Sequence, residues 1–193
     1  MTEPLLSERI MLEIAEHEGL VLEAYKDSVG VWTWGFGVTD ASGHRVYPRY
    51  RGKPSTIKRA VEVFEWLLRT KYLPEVLAAF DGHYLTEAQA AAALSFHWNT
   101  GAICRADWVQ SFLRFDFATA RREFMNWSRP REIIARRKAE RDLFFDERWS
   151  GDGTILLYSR VNSGRAANPI WSSATQIDIR DELRAALEIG QAA

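Results

Sequence analysis

Three polar residues set within an apolar stretch define the chemistry open to this chain. In Ile14 to Thr39, IAEHEGLVLEAYKDSVGVWTWGFGVT, Glu18 is followed after eight residues by Asp27, and after a further five by Thr33. Cleaving a glycosidic bond takes a proton delivered to the leaving oxygen and a carboxylate on the other side of the sugar ring. One acid must keep its proton while the other is ionised. Leu20, Val21, Leu22 and the nearby tryptophans give Glu18 apolar neighbours that raise a carboxyl pKa by desolvation, whereas an aspartate in a polar turn stays charged. A hydroxyl at Thr33 near both would hold a water.

The elements that must position these groups follow from periodicity. Ile10, Met11, Ile14 and Ala15 recur at helical spacing, so a helix from about Ser7 should carry Glu18 near its C-terminal end, with Gly19 stopping it. Trp32, Trp34, Phe36 and Val38 alternate with Val31, Thr33, Gly35 and Gly37, the period of a strand, and Thr33 points away from the tryptophans. Asp27-Ser28-Val29-Gly30 reads as a turn that brings Asp27 back toward the helix end. Asp27, Val29, Val31 and Thr33 share parity, so an extended turn puts Asp27 and Thr33 on one side.

These residues also carry a family likeness. EGLVLEAYKDSVGVWTWGFGVT resembles the catalytic signature of the phage-type lysozymes, the endolysin muramidases of glycoside hydrolase family twenty-four. A second stretch, SFHWNTGA, resembles their S-F-x-x-N-x-G segment, which implies that Trp98 and Asn99 line the substrate cleft. An indole and an amide there can stack on a sugar and bond its N-acetyl group. A third, ARRKAERDLFF, resembles an arginine-rich run near the end of these enzymes and implies that an arginine orients the catalytic glutamate. Arg136 matches best and Arg137 next.

The likeness spans about residues 5 to 148 and implies an α+β, lysozyme-like fold: a small antiparallel β lobe and a larger helical lobe, with the active-site cleft between them. On this reading 1–193 is a single domain, with the β lobe at about 20–54 and the helical lobe at about 1–19 and 55–148. Residues 149–193 form a C-terminal extension packed on the helical lobe, as a flap or a small wall-contacting element. The implied activity is hydrolysis of the β-1,4 bond between N-acetylmuramic acid and N-acetylglucosamine in peptidoglycan. Glu18 is the general acid, Asp27 the base or electrostatic partner, and Thr33 positions water. The likeness favours inversion; retention with Asp27 as nucleophile needs the carboxyls about 5 to 5.5 Å apart rather than about 6.5 to 9.5 Å.

Further elements can be read from the chain. His44 to Tyr47 is expected as the return strand of a hairpin. A helix from Ser55 or Thr56 should run to about Tyr72, where Pro74 kinks or ends it. Thr86 and Gln89 form a capping box for an alanine-rich helix closing at Asn99-Thr100-Gly101. Helices follow at about 108–115, 118–127 and 131–148, then a strand at 154–161 and a helix at 177–187.

Composition bounds the rest. With 193 residues, 47% of them hydrophobic, the chain can build a sizeable core. A formal net charge of −1 offers no general attraction to nucleic acid or acidic membranes. Cys104 is the one cysteine, so no intramolecular disulfide forms. His17, His44, His83 and His97 fall at no metal-ligand spacing, so neither metal nor cofactor is expected. The N-terminal stretch lacks an apolar run of signal or membrane-span length. The family likeness adds a monomer held in the host cytoplasm and released to the periplasmic wall through a pore made by another protein. Two rival readings are a lytic transglycosylase, which would dispense with Asp27 and Thr33, and an inactive peptidoglycan-binding protein. A nucleic-acid module on the arginine-rich helix is a weaker third.

Overall fold

A computed structural model describes residues 6–164 and 167–191. The first five residues, 165–166 and the last two, which the single-domain expectation over 1–193 includes, lie outside the described residues. In chain order the elements are α1 (Glu8–Glu18), β1 (Leu20–Lys26), β2 (Trp32–Gly35), β3 (Val38–Thr39), α2 (Ile57–Leu67), α3 (Leu73–Ala79), α4 (Glu87–Thr100), α5 (Asp107–Leu113), α6 (Phe117–Phe124), α7 (Ile134–Asp146), β4 (Ile155–Tyr158), β5 (Ala174–Ile177) and α8 (Arg180–Gln191). The class is α+β, as expected. The chain divides into two compact units, one built from the chain up to Ile14 with Leu68–Gly151, the other from Ala15–Leu67 with Asp152 onward.

In the second unit the strands form one sheet in the order β3-β2-β1-β4-β5. β1 pairs antiparallel with β2, and β2 with β3, through Trp34 opposite Val38. The expected strand through Val38 breaks at Gly35. Gly35 (φ 65°) and Gly37 (φ 80°) take left-handed conformations that let the chain reverse around Phe36, so the return strand is Val38–Thr39 and His44 to Tyr47 is not a strand. Trp34 anchors the sheet: it is fully buried, stacks on Tyr50 at 3.9 Å and donates its indole N–H to the Leu22 carbonyl at 2.9 Å.

The extension is where the sequence reading needs correction. It was expected on the helical lobe, yet β4 runs parallel to β1, with Leu20 opposite Leu157 and Val21 opposite Tyr158, and β5 then pairs antiparallel with β4. The sheet is therefore mixed. α8 lies against α2, and α2 itself groups with the sheet because Phe64 meets Phe36 at 4.7 Å and Ala60 faces Gly35. Apolar positions on these helices find their cover here rather than in the helical unit.

The first unit is helical. α4 is buried over nearly its whole length, from Ala88 to His97 apart from Gln89, and its alanines let α7 approach closely. Thr86 and Gln89 close the expected capping box, and Gly101 at φ 60° ends the helix. Phe80, Phe96, Trp108, Phe124 and Phe144 are buried together as an aromatic core. The helix expected to run to about Tyr72, where Pro74 kinks or ends it, leaves α geometry earlier, in a π turn at Leu68–Tyr72, and α3 follows. Pro74 sits in the first turn of α3, where its missing N–H costs no helical bond.

Candidate active site

Glu18 is the last residue of α1. Gly19 follows at φ 67°, a left-handed conformation that ends the helix, and a Cβ there would meet the Tyr158 ring at 3.2 Å and the Leu156 carbonyl at 3.3 Å. Glycine is thus required twice, by the backbone and by the close passage of β4. The chain then enters β1, which carries Tyr25 and Lys26 up to the turn.

Asp27 organises that turn. Its Oδ1 accepts the Val29 and Val31 amides at 3.0 and 2.9 Å, its own N–H donates to the Val31 carbonyl, and its carbonyl accepts from Gly30. Both side-chain bonds fall on Oδ1, so Oδ2 is the oxygen that can meet a water or a sugar. Tyr25 stands directly opposite Thr33 in the ladder, and Lys26 opposite Trp32. Partners in a ladder share a face, so Tyr25 and Thr33 face one way, and Asp27 follows in the turn just beyond Lys26. Thr33 is 4% exposed and donates its hydroxyl to the Val31 carbonyl at 3.2 Å, which leaves Oγ1 lone pairs as acceptors.

Tyr25 ties Glu18 to this group. Burial pushes its phenol well above the ordinary value, and the negative charges of Glu18 and Asp27, with Tyr158, push the same way. Tyr25 therefore keeps its proton and lies within electrostatic reach of both carboxyls. Sequence reasoning did not single it out, although it stands inside the quoted motif, because its register opposite Thr33 emerges only from the strand pairing.

The other candidates lie in the helical unit. Trp98 is half-buried against Tyr72, ring centres 4.7 Å apart. Asn99 is exposed, and its Oδ1 accepts from Arg137 Nη2 at 2.7 Å. Arg137 is fully buried; it also donates to Glu140 and to the Trp127 carbonyl at 3.1 Å, and its guanidinium lies 4.7 Å from the Phe96 ring centre. Burial lowers its pKa, opposed by Glu140. Arg136 donates to Glu140 at 2.8 Å and to the Ser95 carbonyl and hydroxyl at 3.1 and 3.2 Å, while Ser95 donates to Glu140 at 2.6 Å. Two stretches that sequence treated separately, SFHWN and ARRKAE, thus share one hydrogen-bonded network around Glu140. Among the described residues no cluster of His, Cys, Asp and Glu is arranged to hold a metal, and no helix is long and apolar enough to cross a membrane.

Comparison with known proteins bears on the fold and the family. A solved endolysin from Escherichia coli O157:H7 phage FAHEc1 superposes with a TM-score of 0.63 at 22% identity, covering 78% of this chain and 99% of the other. A P22 lysozyme mutant gives 0.57 at 24% identity, covering 75% and 99%. The muramidase domain of SpmX from Asticaccaulis excentricus gives 0.55 at 25% identity, with the same coverage. No curated protein matches the chain. The family model described as phage lysozyme matches residues 15–140, which hold Glu18, Asp27, Thr33 and the Glu140 network. This chain is a glycoside hydrolase of the muramidase type and belongs to the phage lysozyme family.

Proposed function

We propose that this protein is an endolysin that hydrolyses the β-1,4 bond between N-acetylmuramic acid and N-acetylglucosamine with inversion. Glu18 gives its proton to the glycosidic oxygen as the bond to the anomeric carbon breaks. A water donates one hydrogen to Asp27 Oδ2 and the other to Thr33 Oγ1, which leaves a lone pair directed at that carbon. As the new bond forms, Asp27 takes the water's proton. Tyr25, kept protonated, donates a hydrogen bond to whichever carboxylate carries charge. The observation that carries this reading is the register of Tyr25 opposite Thr33, with the Asp27 turn directly after β1 and a phenol that feels both Asp27 and Glu18.

The biological part of the proposal is host lysis, with passage from the cytoplasm to the wall through a pore made by another protein, acting as a monomer. Likeness to phage endolysins supports it. On purified peptidoglycan, Glu18→Gln is expected to lose at least about 100-fold in rate while its circular dichroism is unchanged. Residual activity within tenfold of the parent overturns the role of Glu18. Mass spectrometry of the products separates hydrolysis from transglycosylation, whose anhydro ends are lighter by one water. In cells, lysis should follow expression only when the inner membrane is permeabilised.

A further inference from the structure

Beside Asp27 the second unit holds an open pocket of about 340 Å³ that the residues assigned to catalysis do not fill. One wall is the end of β1 and its turn, Tyr25 to Ser28; the other is Asn168, Pro169 and Trp171 of the C-terminal extension. That second wall lies beyond the family match, which ends at residue 140.

The wall is built to stay in place. Lys26 donates its amide to the Ala167 carbonyl at 2.9 Å, Val161 bridges Pro169, and Ile170 donates to the Arg160 carbonyl at 2.9 Å. Trp171 opens a short 3-10 turn that Ser173 locks by donating its hydroxyl to the Ile170 carbonyl at 2.6 Å. The indole is held perpendicular to the Tyr158 ring at 5.2 Å, yet is 64% exposed. A single exposed tryptophan is unremarkable in itself. Here it borders the same pocket as a catalytic carboxylate, with an amide and a hydroxyl alongside.

That combination matches an N-acetylated sugar ring: an aromatic face for its C–H surface, and short polar side chains for its hydroxyls and acetamide. Because the wall is already ordered, binding would cost little conformational entropy. We infer that the pocket between the Asp27 turn and Trp171 is a saccharide subsite contributed by the C-terminal extension, holding an N-acetylhexosamine of the glycan strand next to the bond being cut. This rests on the muramidase reading above. Longer strands should gain affinity by reaching it.

The test uses the full chain carrying Glu18→Gln, so that glycans are bound without turnover. Calorimetric titration compares soluble disaccharide, tetrasaccharide and hexasaccharide of alternating N-acetylglucosamine and N-acetylmuramic acid. Affinity is expected to rise with length, and Trp171→Ala to remove about tenfold from the longest glycan that reaches the pocket. On the active background the same change should raise KM for soluble peptidoglycan about tenfold, with the loss in KM rather than kcat. If Trp171→Ala fails to fold, Trp171→Leu and Asn168→Ala carry the measurement, and Trp171→Phe, which keeps a ring, should lose less affinity than Trp171→Leu. Unchanged glycan affinity in the folded Trp171 and Asn168 variants overturns the subsite while leaving the muramidase assignment intact. A parent protein that fails to cleave peptidoglycan overturns that assignment instead.

Discussion

At the scale of single residues, the proposed chemistry depends on two small groups. Thr33 Oγ1 spends its proton on the Val31 carbonyl and can only accept from a water, so Thr33→Ala should slow peptidoglycan hydrolysis by about tenfold to a hundredfold. Asp27→Asn keeps the Oδ1 bonds to Val29 and Val31 but cannot take the water's proton, and should cost about a hundredfold or more. Initial rates on purified peptidoglycan decide; full activity in both would point to a route without a bound water. Gly19→Ala tests the helix end. A left-handed alanine and a Cβ forced onto Tyr158 and Leu156 together should lower stability by about 2 kcal/mol, read from the urea midpoint. The Glu18, Asp27 and Thr33 pattern could be read as a candidate site because residue types at fixed spacing survive without knowledge of pairing. Tyr25 and Trp171 were not, since each acquires meaning from what stands across from it.

Elements explain both the successes and the misses. Helical periodicity and the Thr86 capping box placed α4, and its alanines announced a buried helix. What periodicity cannot show is which buried polar groups two helices share. Ser95 and Asn99 on α4 meet Arg136, Arg137 and Glu140 on α7, and Glu140 accepts from both guanidinium groups and from the Ser95 hydroxyl. Glu140→Ala would strand a buried Arg137 and should cost about 3–5 kcal/mol in denaturant unfolding, several times the effect of removing an exposed pair such as Arg59 with Glu62. The misplaced extension has a related cause. A parallel partner comes from anywhere in the chain, and the residues of β4 carry no mark that names β1. Likewise Pro74 reads as a kink or a stop in sequence and falls in the first turn of α3, where a helix tolerates it.

At the scale of the whole molecule, pH acts through two histidines, one in each unit. His97 is held below its ordinary value by burial, opposed by Glu75, to which Nε2 donates at 2.6 Å while Nδ1 faces the Ile103 amide at 3.5 Å. His44 is lowered by burial and by Arg49 and Arg59, opposed by Asp40. Both therefore favour the neutral ring when folded, and the unfolded chain takes up protons first. Their contribution is complete above about pH 6.5 and is lost as pH falls toward the folded values. Melting temperature should drop between pH 7.5 and 5.5, and His97→Gln should flatten that slope; an unchanged slope would assign it elsewhere. The parallel pairing of β1 with β4 also sets an order of events during synthesis. Leu20 emerges from the ribosome before its partner Leu157 and the helices between them, so the β1 edge waits unpaired while those helices are made. A chain ended after Ser150 would keep that edge open for good, and it should aggregate through strand addition between copies rather than accumulate as a smaller lysozyme.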